Sequence, residues 1–244
     1  MPGSCFAERI GEFVALTAAE DDALRRLEER DRALKRGTVL LRENDRMGEL
    51  FVLKRGMMMS YVLLDDGSRQ ILCFLLPGDL IAVSALVYAR SPETIVALAD
   101  SMVSPFERSA MARLLVEHPR IAGAIMALDQ MERVASTDRL AAVGRTSAKA
   151  RVASILLEIH NRMQRFDASV NGTFTLGLTQ EEIGDATGLT AVHVNRMLRQ
   201  LEDEALIARE NGRVTLRNVA ALMRTANYVD RFEGLDLGWL PEGR

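Results

Sequence analysis

From Ala186 to Gln200 the chain carries no acidic residue, although it has 34 in all. This stretch holds Val192, His193, Asn195, Arg196, Arg199 and Gln200. Among them Val194, Met197, Leu198 and then Leu201 recur at i, i+3, i+4 and i+7, the period of a helix stripe buried against a core. The polar set is left together on the outward face, and its chemistry is that of recognition. The guanidinium of Arg196 offers a planar fork whose donors match O6 and N7 of guanine. His193 and Asn195 can meet base edges or phosphates, and Val192 offers only an apolar contact such as a thymine methyl. Arg199, one turn on, suits a phosphate. No nucleophile–base set, Walker loop or HExxH pair occurs in the sequence, so an enzyme reading has little support.

A recognition face needs a second helix to hold it. Thr179 and Glu182 form a T-x-x-E capping box, which starts a helix at Gln180. Gly188 ends that helix and Thr190 caps the next. Ile183, Leu189, Val194 and Met197 supply the apolar contacts between them. Helix, glycine turn and helix make a helix-turn-helix unit, whose second helix places its N-terminal half in the major groove of DNA. LIARENGRVTL then reads as a β-hairpin with Asn211-Gly212 at its tip, a wing. Thr179 and Thr190, at the two helix starts, complete the candidate DNA contacts.

Upstream, residues 35–107 read as short strands punctuated at Gly37, Gly48, Gly56, Gly67 and Gly78. Asp66-Gly67 between two apolar runs is a hairpin signal, and the spacing suggests a sandwich or barrel. From Pro119 to Arg145 no further proline interrupts a helical pattern. In it Ile121, Ala124, Leu128, Met131 and Ala135 fall near a 3.5-residue repeat, the seam of a two-stranded coiled coil. The same pattern also fits a helix packed on its own sheet. A helical segment from Ser147 follows. Val219, Leu222 and Met223 suggest one more helix packing back in the tail, and Trp239 a cover for part of the body.

With 244 residues, 48% hydrophobic and 27% charged, the chain has the balance of an ordinary globular protein. The longest apolar run, Leu80 to Ala89, is too short to span a bilayer. The first residues lack the basic start and apolar segment of a signal peptide. A cytoplasmic protein without a membrane partner is the expectation. Cys5 and Cys73 cannot by themselves form a disulfide framework or ligate a cluster or zinc. Cys73, flanked by apolar residues, reads as structural rather than as a redox switch, and Cys5 as exposed. Met57 to Met59 alternate faces and read as core filler, not as a metal site. His118 and His160 have no ligand cluster beside them. A net charge of −3 decides nothing, because local charge sets the field at an interface.

Taken together, FVLKRG, GSRQIL and the Pro77-Gly-Asp79 turn, with LTQEEIGDATGLTAVHVNRMLRQLEDEALI downstream, resemble the Crp/Fnr family of bacterial transcription regulators over roughly residues 30 to 217. The resemblance implies an α+β chain: a β-roll (double-stranded β-helix, jelly-roll-like) in residues 1–117 and a dimerisation helix in 118–145. A winged helix-turn-helix in 146–217 completes it, and the helical tail in 218–244 lies beyond the resemblance. It further implies a homodimer on a two-fold-related DNA site, with RNA polymerase as a further partner.

The departures from the family narrow the effector. Cyclic-nucleotide-binding members carry a Gly-Glu pair and an Arg-Ser pair that hold ribose and phosphate. The matching positions here are Ala82-Val83 and Glu93-Thr94. A carboxylate in place of the arginine repels a cyclic phosphate, which disfavours cyclic AMP. One cysteine near the N-terminus disfavours an iron–sulfur cluster, and haem stays open with no ligand pair to name. No cofactor is expected. In the recognition helix Ala191 and Val192 replace the family's Arg or Ser and its Glu, while Arg196 is kept. A guanine in a TGA-like half-site is expected to survive and the opposite-strand cytosine contact to be lost. Two further readings stay beside the regulator with a repurposed β-roll. One is a regulator gated by another effector, the other a scaffold whose helix-turn-helix meets protein; the acid-free face argues against the latter.

Overall fold

The computed structural model describes residues 3–243, which form two compact units. One comprises residues 3–62, 74–133 and 231–243, the other 63–73 and 134–230.

The first unit opens with α1 (Cys5–Gly11) and α2 (Ala18–Arg26). Neither helix is part of the sequence reading above, yet both carry start signals. Ser4 accepts from the Ala7 N–H at 3.0 Å, and Thr17 and Glu20 form a reciprocal capping box. Buried Glu28 closes the start of α1, accepting from Ser4 Oγ at 2.5 Å and from the Cys5 and Phe6 N–H groups at 3.1 and 2.9 Å.

Eight strands follow: β1 (Arg32–Leu34), β2 (Val39–Leu41), β3 (Glu49–Arg55), β4 (Met58–Leu63), β5 (Arg69–Leu75), β6 (Leu80–Ile81), β7 (Thr94–Ala97) and β8 (Ser101–Glu107). They make two four-stranded sheets, ordered β1-β8-β3-β6 and β2-β7-β4-β5. Leu34, Phe51, Leu53, Ile81 and Val103 of the first sheet pack with Met58, Ile95 and Ala97 of the second, so the roll is filled by its own side chains. Met57, Met58 and Met59 are all buried.

Two helices come next, α3 (Arg108–Glu117) and the 27-residue α4 (Pro119–Arg145). Ile121, Ala124 and Leu128 of α4 belong to a core with Phe6, Ile10, Leu24, Leu50, Phe106 and Met111. Met131 is also buried, and Ala135 is half-buried. Ile121, Ala124 and Leu128 are thus packed within the first unit, among residues of α1, α2, β3, β8 and α3. The two units divide within α4, between Arg133 and Val134. The opposite face of α4 is open. Met126 is 54% and Leu140 75% exposed, with exposed Gln130, Arg133 and Thr137 between them. In this unit the tail lies against α4: Trp239 and Leu240 sit over Gly123, and Arg120 Nε donates to the Pro241 carbonyl at 2.8 Å.

The second unit contains α5 (Ala148–Phe166), β9 (Thr173–Thr175), α6 (Gln180–Thr187), α7 (Ala191–Asp203), β10 (Ile207–Glu210), β11 (Arg213–Leu216) and α8 (Val219–Ala226). The last is the expected tail helix, and it packs on α5 through fully buried Leu222. Arg165 pairs with Asp230 at 2.7 Å. The hairpin-tip segment 63–73 contributes Arg69, paired with Asp185 of α6 at 2.7 Å. Among the described residues no helix is long and apolar enough to cross a membrane.

Candidate nucleic-acid interface

The interface begins with how α6 and α7 are locked. Thr179 Oγ1 accepts from the Glu182 N–H at 3.1 Å, and the Glu182 carboxylate accepts from the Thr179 N–H at 2.6 Å. Gly188 ends α6 in the left-handed region at φ 67°. A Cβ on Gly184 would strike the Leu189 carbonyl, so only glycine lets the turn close this tightly on α6. From α5, Arg151 Nη1 donates to the Thr187 carbonyl at 2.8 Å and holds the turn from behind. Thr190 then caps α7, accepting from the His193 N–H at 3.3 Å.

With α7 fixed, Val194, Met197, Leu198 and Leu201 are buried. Burial of that stripe leaves Val192, Arg196, Arg199 and Gln200 outward, with Val192 82% exposed. His193 and Asn195 are half-buried flanks of this face, and Thr179 and Thr190 are exposed at the helix starts. The seven candidate contacts thus share two adjoining helix starts and one helix face. One of them has an added duty: Asn195 Nδ2 donates to Gln180 Oε1 at 3.1 Å and clips α7 to the start of α6. Gln180 carried no period or cap signal of its own, so sequence alone gave no hint of this pairing.

Next to the two helices stands the wing. β10 and β11 pair from Ile207↔Leu216 to Glu210↔Arg213, and β9 adds a third strand. Asn211 and Gly212 turn the tip at φ 50° and 76°. Arg209 reaches Glu202 at 2.6 Å, and this hydrogen bond holds the Glu202 carboxyl below its usual range. Arg213 and Thr215 alternate onto one face of β11 and Arg217 follows just past its end, with both arginines exposed. Neither arginine was among the expected contacts, although their i, i+4 placement across a strand was readable.

In the β-roll the four expected effector positions differ in burial and in partners. Ala82, in the left-handed region at φ 61°, is buried in the roll core with Ala85. Val83 and Glu93 are half-buried, and buried Thr94 uses Oγ1 to accept from the Glu43 N–H at 3.0 Å. A carboxylate at 93 disfavours a cyclic phosphate there. Nor is Cys5 exposed: it is half-buried, Sγ donates to the Lys54 carbonyl at 3.5 Å, and burial pushes the thiol up to about 11. Cys73, expected in the core, is also only half-buried.

Two family models match the chain: a Cyclic nucleotide-binding domain over residues 31–118 and a Crp-like helix-turn-helix domain over 150–225. The Fumarate and nitrate reduction regulatory protein of Vibrio cholerae is 26% identical over 211 residues, covering 86% of this chain and 84% of that protein. Its counterpart in Escherichia coli strain K12 is 26% identical over 213 residues, with 87% and 85% covered. Among solved structures, FixK2 from Bradyrhizobium japonicum superposes with a TM-score of 0.74 at 26% identity, covering 82% of this chain and 98% of that one.

Proposed function

This chain belongs to the Crp/Fnr family of DNA-binding transcription regulators, and from that premise we propose that it works as a homodimer on a two-fold-related site. Each α7 enters a major groove, Arg196 takes a guanine of a TGA-like half-site, and Arg199 with Thr179 and Thr190 meets phosphates. The observation that carries this reading is the exposed face of α7, free of acidic residues between 186 and 200 and held by a locked α6. His193 flanks the base-reading residues, and Asn195 acts first as the clip to Gln180. The two copies meet along the open face of α4, from Met126 to Leu140. Bound to DNA in the cytoplasm, the dimer acts on transcription through RNA polymerase. Glu93, a carboxylate in place of the family's phosphate-binding arginine, disfavours cyclic AMP as the effector.

Selection of binding sites from random duplex DNA by the purified full-length protein tests the reading. Enrichment of a two-fold site, with a half-site guanine that Arg196→Ala no longer requires, is the expected result. A selected site whose base preferences are unchanged by Arg196→Ala would overturn the assignment. Binding only to protein, with no salt-sensitive affinity for DNA, would overturn the function as a whole.

A further inference from the structure

Val192 occupies an unusual place for an apolar side chain. It is 82% exposed, it lies one helical turn before Arg196, and no acidic residue occurs between 186 and 200. Val194, two residues on, is fully buried, so the helix has already supplied its core contact and Val192 contributes nothing to packing. Ala191 beside it is also apolar and half-buried. The leading edge of this recognition helix is a small hydrocarbon surface followed by a guanidinium.

We infer that Val192 is a specificity-determining residue that reads the 5-methyl group of a thymine next to the guanine read by Arg196. The inference rests on the DNA-binding reading above and deepens it. In the major groove cytosine offers an amino donor and thymine a methyl group and an acceptor. Valine has no acceptor, so a cytosine amino group pressed against it would lose its water without gaining a partner. A thymine methyl, in contrast, gains from contact with the isopropyl group. The chemistry at this position therefore favours an A·T pair over G·C. Its place follows from geometry. Four helical residues rise about 6 Å, and base pairs step about 3.4 Å. The methyl lies within about two base pairs of the Arg196 guanine.

The test uses the full-length dimer and the site recovered by selection. The guanine is located as the base whose substitution Arg196→Ala no longer senses. Each thymine within two base pairs of it, on either strand of one half-site, is then replaced singly by uracil, which removes only the methyl. One such replacement is expected to weaken binding roughly fourfold, the effect of one buried methyl-sized group. Val192→Ala should bind the thymine and uracil duplexes nearly equally while keeping the guanine requirement. Because Val192 is exposed, this variant is expected to melt with the wild type. Equal binding of all uracil and thymine duplexes by the wild-type protein, with guanine discrimination intact, would overturn this inference and leave the DNA reading standing. Full methyl sensitivity persisting in Val192→Ala would overturn it as well. Loss of all sequence selectivity in the wild-type protein would overturn the DNA reading and this inference together.

Discussion

Arg196 and Arg199 stand three residues apart on one exposed helix face and are suited to different parts of a duplex. A base-reading arginine carries discrimination, so Arg196→Ala is expected to cost about 1–3 kcal/mol on the selected site and little on a duplex already lacking the guanine. Titration of both duplexes with both proteins checks this, and an equal loss on each would make Arg196 a phosphate contact. Cys5 gives a second prediction at this scale. Its thiol is held up to about 11 chiefly by burial, with the Glu28 carboxylate adding to it, against an ordinary value of 9.0. The unfolded chain ionises above about 9 while the folded chain keeps the proton, so this group weakens the fold as pH rises from 9 towards 11. At pH 8 Cys5 should be alkylated far more slowly in the folded protein than in urea, as followed by peptide mapping. Rapid alkylation of the native protein would show the thiol to be accessible and ionised. The exposure of Arg196 on α7 was legible because it needs only helical period. The burial of Cys5 and the bond from Asn195 to Gln180 were not, since each depends on a segment brought in by tertiary packing.

The long helix α4 shows where sequence period stops being informative. Ile121, Ala124, Leu128 and Met131 fit a heptad seam, and Met126, Gln130, Arg133, Thr137 and Leu140 keep the same spacing on the other side, with apolar residues only at the two ends. Period says that a face is covered and not by what. The first face shares its core with α1, α2, β3, β8 and α3, and the start of α2 at Thr17 repeats the T-x-x-E pattern of Thr179 within a less apolar stretch. The helix-turn-helix was legible because cap, glycine, apolar spacing and wing agree locally. The two faces of α4 separate in experiment. Leu128→Ala should lower stability by about 2–5 kcal/mol, by leaving a cavity in the core of the first unit. Leu140→Glu should leave the thermal midpoint near wild type and shift the protein to a monomer in sedimentation. The reverse pattern, a folded monomer from Leu128→Ala and an intact dimer from Leu140→Glu, would return the seam to the inward face.

For the molecule as a whole, the net charge is −3, and a uniform distribution of that charge would repel DNA. Binding must then depend on a local field, and the length of the acid-free stretch in α7 supplies one. Such binding releases counterions, so log affinity falls linearly with log salt, by about 0.9 for each phosphate neutralised on duplex DNA. A dimer places two copies of every contact on its site. Arg199→Ala should therefore flatten the salt slope by about 1.8, twice the value for one contact, and should weaken selected and unrelated duplexes alike. Isotherms across a salt series, with the oligomeric state established in the same buffer, measure this directly. An unchanged slope would remove Arg199 from the phosphate contacts. A change of about 0.9 would mean that one α7 per dimer engages the duplex. The same series on Arg196→Ala should change affinity more than slope on the guanine-bearing site, because a base-edge contact discriminates by hydrogen bonds as well as by charge.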